Sequence, residues 1–583
     1  MKYRLYSLCQ KIVSPVTDNF VFLIIICSLL LIPIVLQCIQ ANDALYFAYA
    51  FPINAILAYM ISALEFYGRK FINLRVVCCV VVGLFSAFES FLVYSFGAPF
   101  SATILSVIIE TNADEAGGFV TSYLLTAKFA LFVLAAILVV ACIVAVDRIG
   151  RRLKIDCLNR LLTVGMASVV TLSCMCYVAR DIRFCRFFTI RDTQQVIHDK
   201  NLAFYAHNYT VIGNFIFQCY LYSLESNHAQ YLKNFVHQGV SVASMQKSPL
   251  VIAVIGEALN KYHLSLYGYS LNTTPILLQE RNGGNLYTFS EVVSSYNTTI
   301  KSLRALLFTA SNDTNEQWSR TPCFPYLFKQ AGCKVYFISN QEVVGGNNDQ
   351  WDFGNNYLVN PNISPYYFDY QNPAKHSMDL DLVKLYSPRV DGKTSLILYH
   401  LLGQHAAYAD RYPHEEAVFN PGDYPGELSK WQQETMAHYD NSIRYNDKVV
   451  GEIINRYRNH DCILVYFSDH GEECYDYRAF AGRDLSDELT PERAKYQFEV
   501  PFMIWMSDKY KENHPDVVAQ VERSVDRPYM IDDLPHLMLD LAGIECEWFD
   551  PTRSVINDKF NAKRKRLLLD SKQDYDEIMK GAK

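Results

Sequence analysis

Asp469 and His470 close an apolar, β-rich run, Ile463-Leu-Val-Tyr-Phe-Ser-Asp469-His470-Gly-Glu472, at the point where Gly471 turns the chain outward. A carboxylate beside an imidazole offers two ligands of the kind that hold zinc and similar cations. The carboxyl edge of an α/β sheet is where such folds place their chemistry. Two other apolar runs end the same way, one at Gly256-Glu257 and one at His400, with His405 two residues past Gly403. Alone, each would pass for a solvated surface residue. Together, Glu257, His400, His405, Asp469 and His470 at one end of neighbouring strands predict a metal site, because buried acids and imidazoles are costly unless paired or metal-bound.

Group transfer at such a site calls for a nucleophile. Thr298 and Thr299 stand where the polar stretch Ser294-Ser-Tyr-Asn gives way to the helix-like Ile300-Lys-Ser-Leu-Arg-Ala-Leu-Leu. A hydroxyl at a helix start has exposed backbone N–H groups beside it, suited to a phosphate or to charge developing on one. The competing reading is a helix N-cap.

The elements that must carry these residues follow from apolar runs of strand length at 249–255, 335–338, 395–402, 462–467 and 500–506, separated by helix-like segments such as 430–457. Strands alternating with helices predict a largely parallel sheet covered on both faces. Upstream, apolar stretches at 20–39, 45–64, 76–96, 129–146 and 161–178 are long enough, or nearly so, to cross a hydrocarbon core of about 30 Å. The near-neutral mean hydropathy thus averages a membrane part, 1–180, and a polar catalytic part, 246–583, joined by an aromatic-rich connector, 181–245.

Lys2, Arg4 and Lys11, then Arg69, Lys70 and Arg75, then Arg148, Arg151, Arg152, Lys154 and Arg160 mark three segments as cytoplasmic. An odd number of spans then leaves the C-terminal part outside. Of sixteen cysteines, nine lie in or beside the spans, where the residue acts as a small apolar group. In the outer part, Cys323 and Cys333 are the one short-range pair that spacing offers for a disulfide. A net charge of −7 gives no sign of nucleic-acid binding.

The segments Val254-Ile-Gly-Glu257, Ser265-Leu-Tyr-Gly-Tyr269, Thr273-Thr-Pro275, His400-Leu-Leu-Gly-Gln-His405, Arg411-Tyr-Pro413 and Ser468-Asp-His-Gly-Glu472 occur in an order that resembles the phosphoethanolamine transferases of Gram-negative bacteria. That family belongs to the alkaline phosphatase and sulfatase superfamily. The resemblance covers nearly the whole chain and implies a five-helix transmembrane domain followed by an α/β alkaline-phosphatase/sulfatase-like domain with a central, mostly parallel sheet. It also implies that Glu257, Asp469 and His470 bind zinc with the hydroxyl of Thr299 as nucleophile, since the family's nucleophile directly precedes an apolar helix start. His405 matches a histidine that contacts the transferred phosphate or a further zinc, and His400 either assists or is structural.

Two positions depart from the lipid A enzymes. Ser295 replaces a cysteine whose disulfide braces the nucleophile loop, and Phe480-Ala-Gly-Arg483 stands where they carry a second histidine. Arg483 has the guanidinium to bind a phosphate oxygen instead. Between the third and fourth spans, an amphipathic stretch leads into Glu110-Thr-Asn112-Ala-Asp-Glu115, similar to the family's Glu-Thr-Asn loop near the membrane interface. Glu110, Asn112 and Glu115 are therefore expected to handle lipid substrate. Glu89, inside the third span, is a further intramembrane polar residue.

The expected activity is transfer of phosphoethanolamine from phosphatidylethanolamine to a lipopolysaccharide acceptor at the bacterial inner membrane, with the catalytic domain in the periplasm. Alternatives are a phosphoglycerol transferase of the same fold and a non-catalytic lipid-binding membrane protein.

Overall fold

In the computed structural model all residues are described except 1, 42–43, 69–73, 97–98, 102–103, 106–107, 109–119, 121–123, 125, 151–159, 186–209, 226–227, 244–248, 315, 342–355, 361, 391–394, 479, 485–487 and 582–583. The chain divides into two compact units, one formed mainly by residues 1–225 and the other by the remainder.

In the first unit, five helices are long and apolar enough to cross a membrane: Phe20–Gln40, Leu45–Gly68, Leu74–Phe96, Phe129–Val146 and Leu161–Ala179. The protein is a multi-pass membrane protein. Phe22, Ile26, Leu30, Ala58 and Val82 form a small core among the first three spans, whereas Leu131, Leu134, Ile137 and Leu138 of the fourth face outward, as lipid-facing side chains do. Glu89 is buried and accepts the Phe100 N–H at 3.2 Å, while Asn214 donates to the Phe100 carbonyl at 2.8 Å. Phe100 is thereby held between the third span and the helix Val211–Glu225.

The second unit is built on a seven-stranded sheet. In chain order its strands are β1 (Leu250–Gly256), β2 (Leu286–Thr288), β3 (Lys334–Ser339), β4 (Tyr370–Gln371), β5 (Ser395–His400), β6 (Cys462–Ser468) and β7 (Phe502–Met506). Their spatial order is β2-β7-β6-β1-β5-β3-β4. The five strands β6, β1, β5, β3 and β4 are parallel, and β7 runs antiparallel to both β6 and β2. β1, β5 and β6 are buried along their whole length, because alternate side chains enter two cores, one on each face. The expected mostly parallel sheet is thus present, with the antiparallel pair at one side.

Helix α1 (Lys430–Tyr457) covers one face. Ser429 fixes its start by accepting from Gln432 N–H, while the Gln432 side chain accepts from Ser429 N–H. Upstream of β1, the helix His228–Gln238 places Leu232 and Val236 in the core on the opposite face. Cys323 and Cys333, the pair that spacing offered, are not joined in a disulfide. The helix Phe324–Gln330 lies between them, and seven helical residues span about 10 Å, beyond the Cα separation a disulfide bridges.

Candidate active site

The parallel register decides what converges. Ile255 of β1 pairs with His400 of β5 and Phe467 of β6, so all three strands finish at one level. One residue beyond β1, Glu257 enters the crevice, followed by Ala258 at φ 53, a left-handed conformation costly for a non-glycine residue and of the kind found at functional sites. Gly403, at φ +50, passes so close that a Cβ there would stand 3.0 to 3.2 Å from Glu257 atoms. The buried Asp379 carboxylate accepts the N–H groups of Leu402 and Gly403, both at 2.9 Å, and so anchors the loop that carries His405. At Gly471 a Cβ would meet the Tyr496 carbonyl oxygen at 2.3 Å.

Glu257, Asp469 and His470 are completely buried, and one ligand atom from each lies within 4.8 Å of the others. Thr299 is the first residue of helix α2 (Thr299–Leu307). Its hydroxyl donates to Glu257, 3.1 Å from both carboxylate oxygens, and lies 3.3 Å from His470 Nε2. Thr298 occupies the N-cap position but makes no side-chain cap bond.

The donor set fits a cation. His470 Nδ1–H donates to the Gly471 carbonyl at 2.8 Å, which leaves a lone pair on Nε2 facing Glu257 at 3.4 Å and Asp469 at 3.2 Å. Asp469 Oδ1 accepts the N–H groups of Ala258 and His470, while its buried Oδ2 has no hydrogen-bond donor among the described residues. Burial and the neighbouring Glu257 charge push Asp469 up to about 7. Burial works against the Glu257 charge too, but His470, His405 and Arg483 together hold its carboxyl well below the usual range. Two carboxylates and one imidazole lone pair are the ligand types zinc takes, and the Thr299 hydroxyl converges on them.

His405 is close enough to Glu257 for the two to interact electrostatically, and burial lowers its imidazole to about 4, so it is neutral at neutral pH. Burial lowers His400 to about 4 as well. Its ring is stacked on Phe337 and its Nδ1 lies 3.4 Å from Ser339 Oγ, outside the Glu257, Asp469 and His470 group. Arg483 turns Nη1 to within 2.5 Å of His470 Nε2 and Nε to 3.4 Å from Glu472, whose other oxygen accepts the Tyr408 hydroxyl at 2.7 Å. A fixed guanidinium therefore flanks the cluster. Ser295 Oγ is buried and unpaired among the described residues, and no disulfide braces this loop. Glu110, Asn112 and Glu115 lie outside the described residues.

Sequence reading missed Gln341, beyond β3, which donates to Glu257 at 3.2 Å and to the Leu401 carbonyl at 2.7 Å. It also missed His263, buried between Asp440 at 2.6 Å and Asp476 at 3.2 Å. That contact ties the loop after Glu257 to helix α1 and to the loop after His470. One histidine and two carboxylates far apart in sequence leave no local pattern, although His263 precedes the Ser-Leu-Tyr-Gly-Tyr motif by two residues.

Comparison with known proteins places this geometry. The sulfatase family profile matches residues 249–544, and a profile described as phosphoethanolamine transferase EptA/EptB matches 56–186. Phosphoethanolamine transferase CptA of Salmonella typhimurium is 30% identical over 553 residues, covering 90% of this chain and 89% of that protein. The chain belongs to the phosphoethanolamine transferase family. EptC of Escherichia coli is 32% identical over 347 residues, an alignment that spans 57% of this chain and 58% of EptC. The C-terminal periplasmic domain of E. coli EptC, in a complex with zinc, superposes with a TM-score of 0.51 at 30% identity over 58% of this chain and 98% of that domain. The membrane-embedded EptA of Neisseria meningitidis shares the fold of both units, with a TM-score of 0.54 at 16% identity over 94% of this chain and 97% of that chain.

Proposed function

We propose that this member of the family transfers phosphoethanolamine from phosphatidylethanolamine to a lipopolysaccharide acceptor through a covalent intermediate on Thr299. The observation that carries this reading is the Thr299 hydroxyl at the first turn of α2, 3.1 Å from both Glu257 oxygens and beside His470 and Asp469. Glu257, Asp469, His470 and Thr299 would hold zinc, which supplies charge neutralisation at the phosphoryl oxygens and lowers the pKa of the attacking hydroxyl.

The chain's own residues do the rest. Thr299 gives up its proton as its oxygen bonds to phosphorus, and the bond from phosphorus to the diacylglycerol oxygen breaks. That oxygen takes up a proton, leaving a phosphodiester between Thr299 and ethanolamine. An acceptor hydroxyl or phosphate oxygen then attacks phosphorus, and the Thr299 oxygen leaves and regains its proton. Arg483 and the first-turn N–H groups of α2 face the phosphoryl oxygens, and neutral His405 stands ready to donate to one of them. Glu110, Asn112 and Glu115 on the outer loop handle lipid substrate. The membrane spans keep the site beside both lipids, at the bacterial inner membrane with the catalytic unit in the periplasm, which raises their effective concentration.

The test is incubation with phosphatidylethanolamine and no acceptor, followed by peptide mass spectrometry. One phosphoethanolamine group should appear on the Thr299 peptide. A glycerophosphate group formed from phosphatidylglycerol would instead identify a phosphoglycerol transferase, and no adduct from either lipid, where lipopolysaccharide is nonetheless modified, would rule out the covalent route.

A further inference from the structure

The nucleophile loop is held from behind by a small hairpin. The short strands Leu567–Leu568 and Gln573–Asp574 pair antiparallel and leave residues 569–572 as the turn. Leu569 at φ 58 and Lys572 at φ 53 take the left-handed conformation there, which is costly for a non-glycine residue and persists only where surrounding contacts impose it. Asn312 supplies two of those contacts, donating from Nδ2 to the carbonyls of Leu567 at 2.8 Å and Leu569 at 3.2 Å. Its own N–H donates to the buried Asp532, which pairs with Arg564 at 2.8 Å. Leu568 and Leu569 pack with Val293 and Phe498.

The turn reaches the chain on both sides of Thr299. Leu569 N–H donates to the Ser295 carbonyl at 2.9 Å, and Asp570 Oδ1 accepts the Tyr296 hydroxyl at 3.0 Å. The other carboxylate oxygen of Asp570 accepts from Lys301 Nζ at 2.6 Å, and that ammonium stands 5.8 Å from the Tyr296 ring centroid. Lys301 lies two residues beyond Thr299 on α2, about 200° around the helix axis, so Asp570 grips the side of α2 turned away from Glu257 and His470. On the opposite side, the Ser294 hydroxyl donates to the Asp469 carbonyl at 2.7 Å. One carboxylate thus joins the residues three before and two after the nucleophile, neither of which belongs to the Glu257, Asp469 and His470 group.

Resting on the transfer reading above, we propose that Asp570 is a positioning residue for the reaction, holding Tyr296 and Lys301 so that the Thr299 oxygen is aimed at phosphorus when it attacks. Placement governs such a step, and a displacement of about 1 Å can cost about 100-fold in rate. The start of α2 depends on an outside restraint, because Thr298 at the N-cap makes no side-chain cap bond. Lys301 and Asp570 are 23% and 43% exposed, and ion pairs as open as this add little to overall stability. The contribution of the pair is therefore read in the rate and not in the melting temperature.

The experiment uses the full-length protein with phosphatidylethanolamine and no acceptor, and follows the Thr299 adduct in time. Its amplitude reports the active fraction and its rate constant the attack. In Asp570→Ala the rate constant at saturating lipid should fall about 10- to 100-fold. The half-saturating lipid concentration, the adduct amplitude, the bound zinc and the melting temperature should stay at wild-type values. Lys301→Met should slow the same step, Lys301→Arg, which keeps the ion pair, should not, and Asp570→Ala combined with Lys301→Met should be no slower than Asp570→Ala alone. Lys565→Gln, an exposed change in the same hairpin region, should match wild type. A smaller amplitude at an unchanged rate constant would make Asp570 a scaffold residue and overturn the proposal. So would a higher half-saturating lipid concentration at an unchanged maximal rate, which would make it part of the donor site. Hydrogen exchange of the peptide 294–307 without lipid needs no turnover and should quicken in Asp570→Ala; unchanged exchange overturns the proposal. Absence of any wild-type adduct, with exchange still quickened by that substitution, would refute the transfer reading while upholding the hold of Asp570 on the Thr299 loop.

Discussion

At the residue scale, Thr299 and Thr298 differ by one position and by everything that matters chemically. Thr299 points its oxygen at Glu257 and His470, whereas Thr298 ends the extended segment before the helix. Thr299→Ala should lower transfer by at least about 10³-fold and abolish the covalent adduct, while the thermal transition stays near wild type, because the change removes an oxygen and a methyl from a cleft and not a core group. Thr298→Ala should keep the adduct; mass spectrometry of the peptide separates the two. Asp469→Asn preserves shape but removes an anionic member of the proposed zinc site, so bound zinc, read by elemental analysis, and turnover should fall together. His263 belongs to this scale as well. Burial opposes its charge, but Asp440 and Asp476 raise it to about 10 from an ordinary value near 6.5. A raised folded-state pKa means that this stabilisation is complete below pH 6.5 and is lost as the pH rises through 10. The gap in melting temperature between wild type and His263→Gln should therefore narrow across that window, and a constant gap would show that the ion pairs contribute nothing.

At the element scale, the site depends on loops that leave three parallel strands at one level. Gly403 approaches the Glu257 backbone at φ +50, where an L side chain costs about 1–2 kcal/mol even before its contacts are counted. Gly403→Ala should destabilise the catalytic unit by roughly that amount. It should also weaken zinc retention under chelator challenge, since the Cβ pushes on Glu257, a member of the proposed zinc site. Retention equal to wild type would show that the His405 loop moves instead of Glu257.

At the scale of the whole molecule, the two units meet different solvents and are stabilised differently. The membrane unit turns leucines and isoleucines outward, while the catalytic unit holds two cores around its sheet. The catalytic core draws on chain that precedes its first strand, since Leu232 and Val236 are buried in it and Val242–Ala243 pairs with Glu545–Cys546. A fragment spanning 226–583 should therefore melt higher than one spanning 246–583. Losing two buried aliphatic side chains costs about 3–6 kcal/mol, enough for calorimetry to resolve. Equal melting temperatures would mean that the helix His228–Gln238 merely rests on the surface.

What the sequence by itself determined is whatever depends on local pattern. Span length follows from runs of apolar side chains that must satisfy their backbone inside a bilayer, and the five spans lie where composition puts them. Strand positions follow from short apolar runs, and helix α1 begins where Ser429 and Gln432 cap each other. Glu257, Asp469 and His470 were legible because a strand end followed by a turn is a local event repeated in several segments. Tertiary structure alone decided which histidines join the cluster. His470 belongs to it, whereas His400 and His405 both feel the Glu257 charge yet stand outside the three-residue group, His400 with its ring stacked against Phe337. It alone placed Gln341, and it left Cys323 and Cys333 unbridged across a helix. These outcomes depend on strand register and on which loops meet at the sheet edge. Such contacts join residues far apart in the chain, and no local periodicity encodes them.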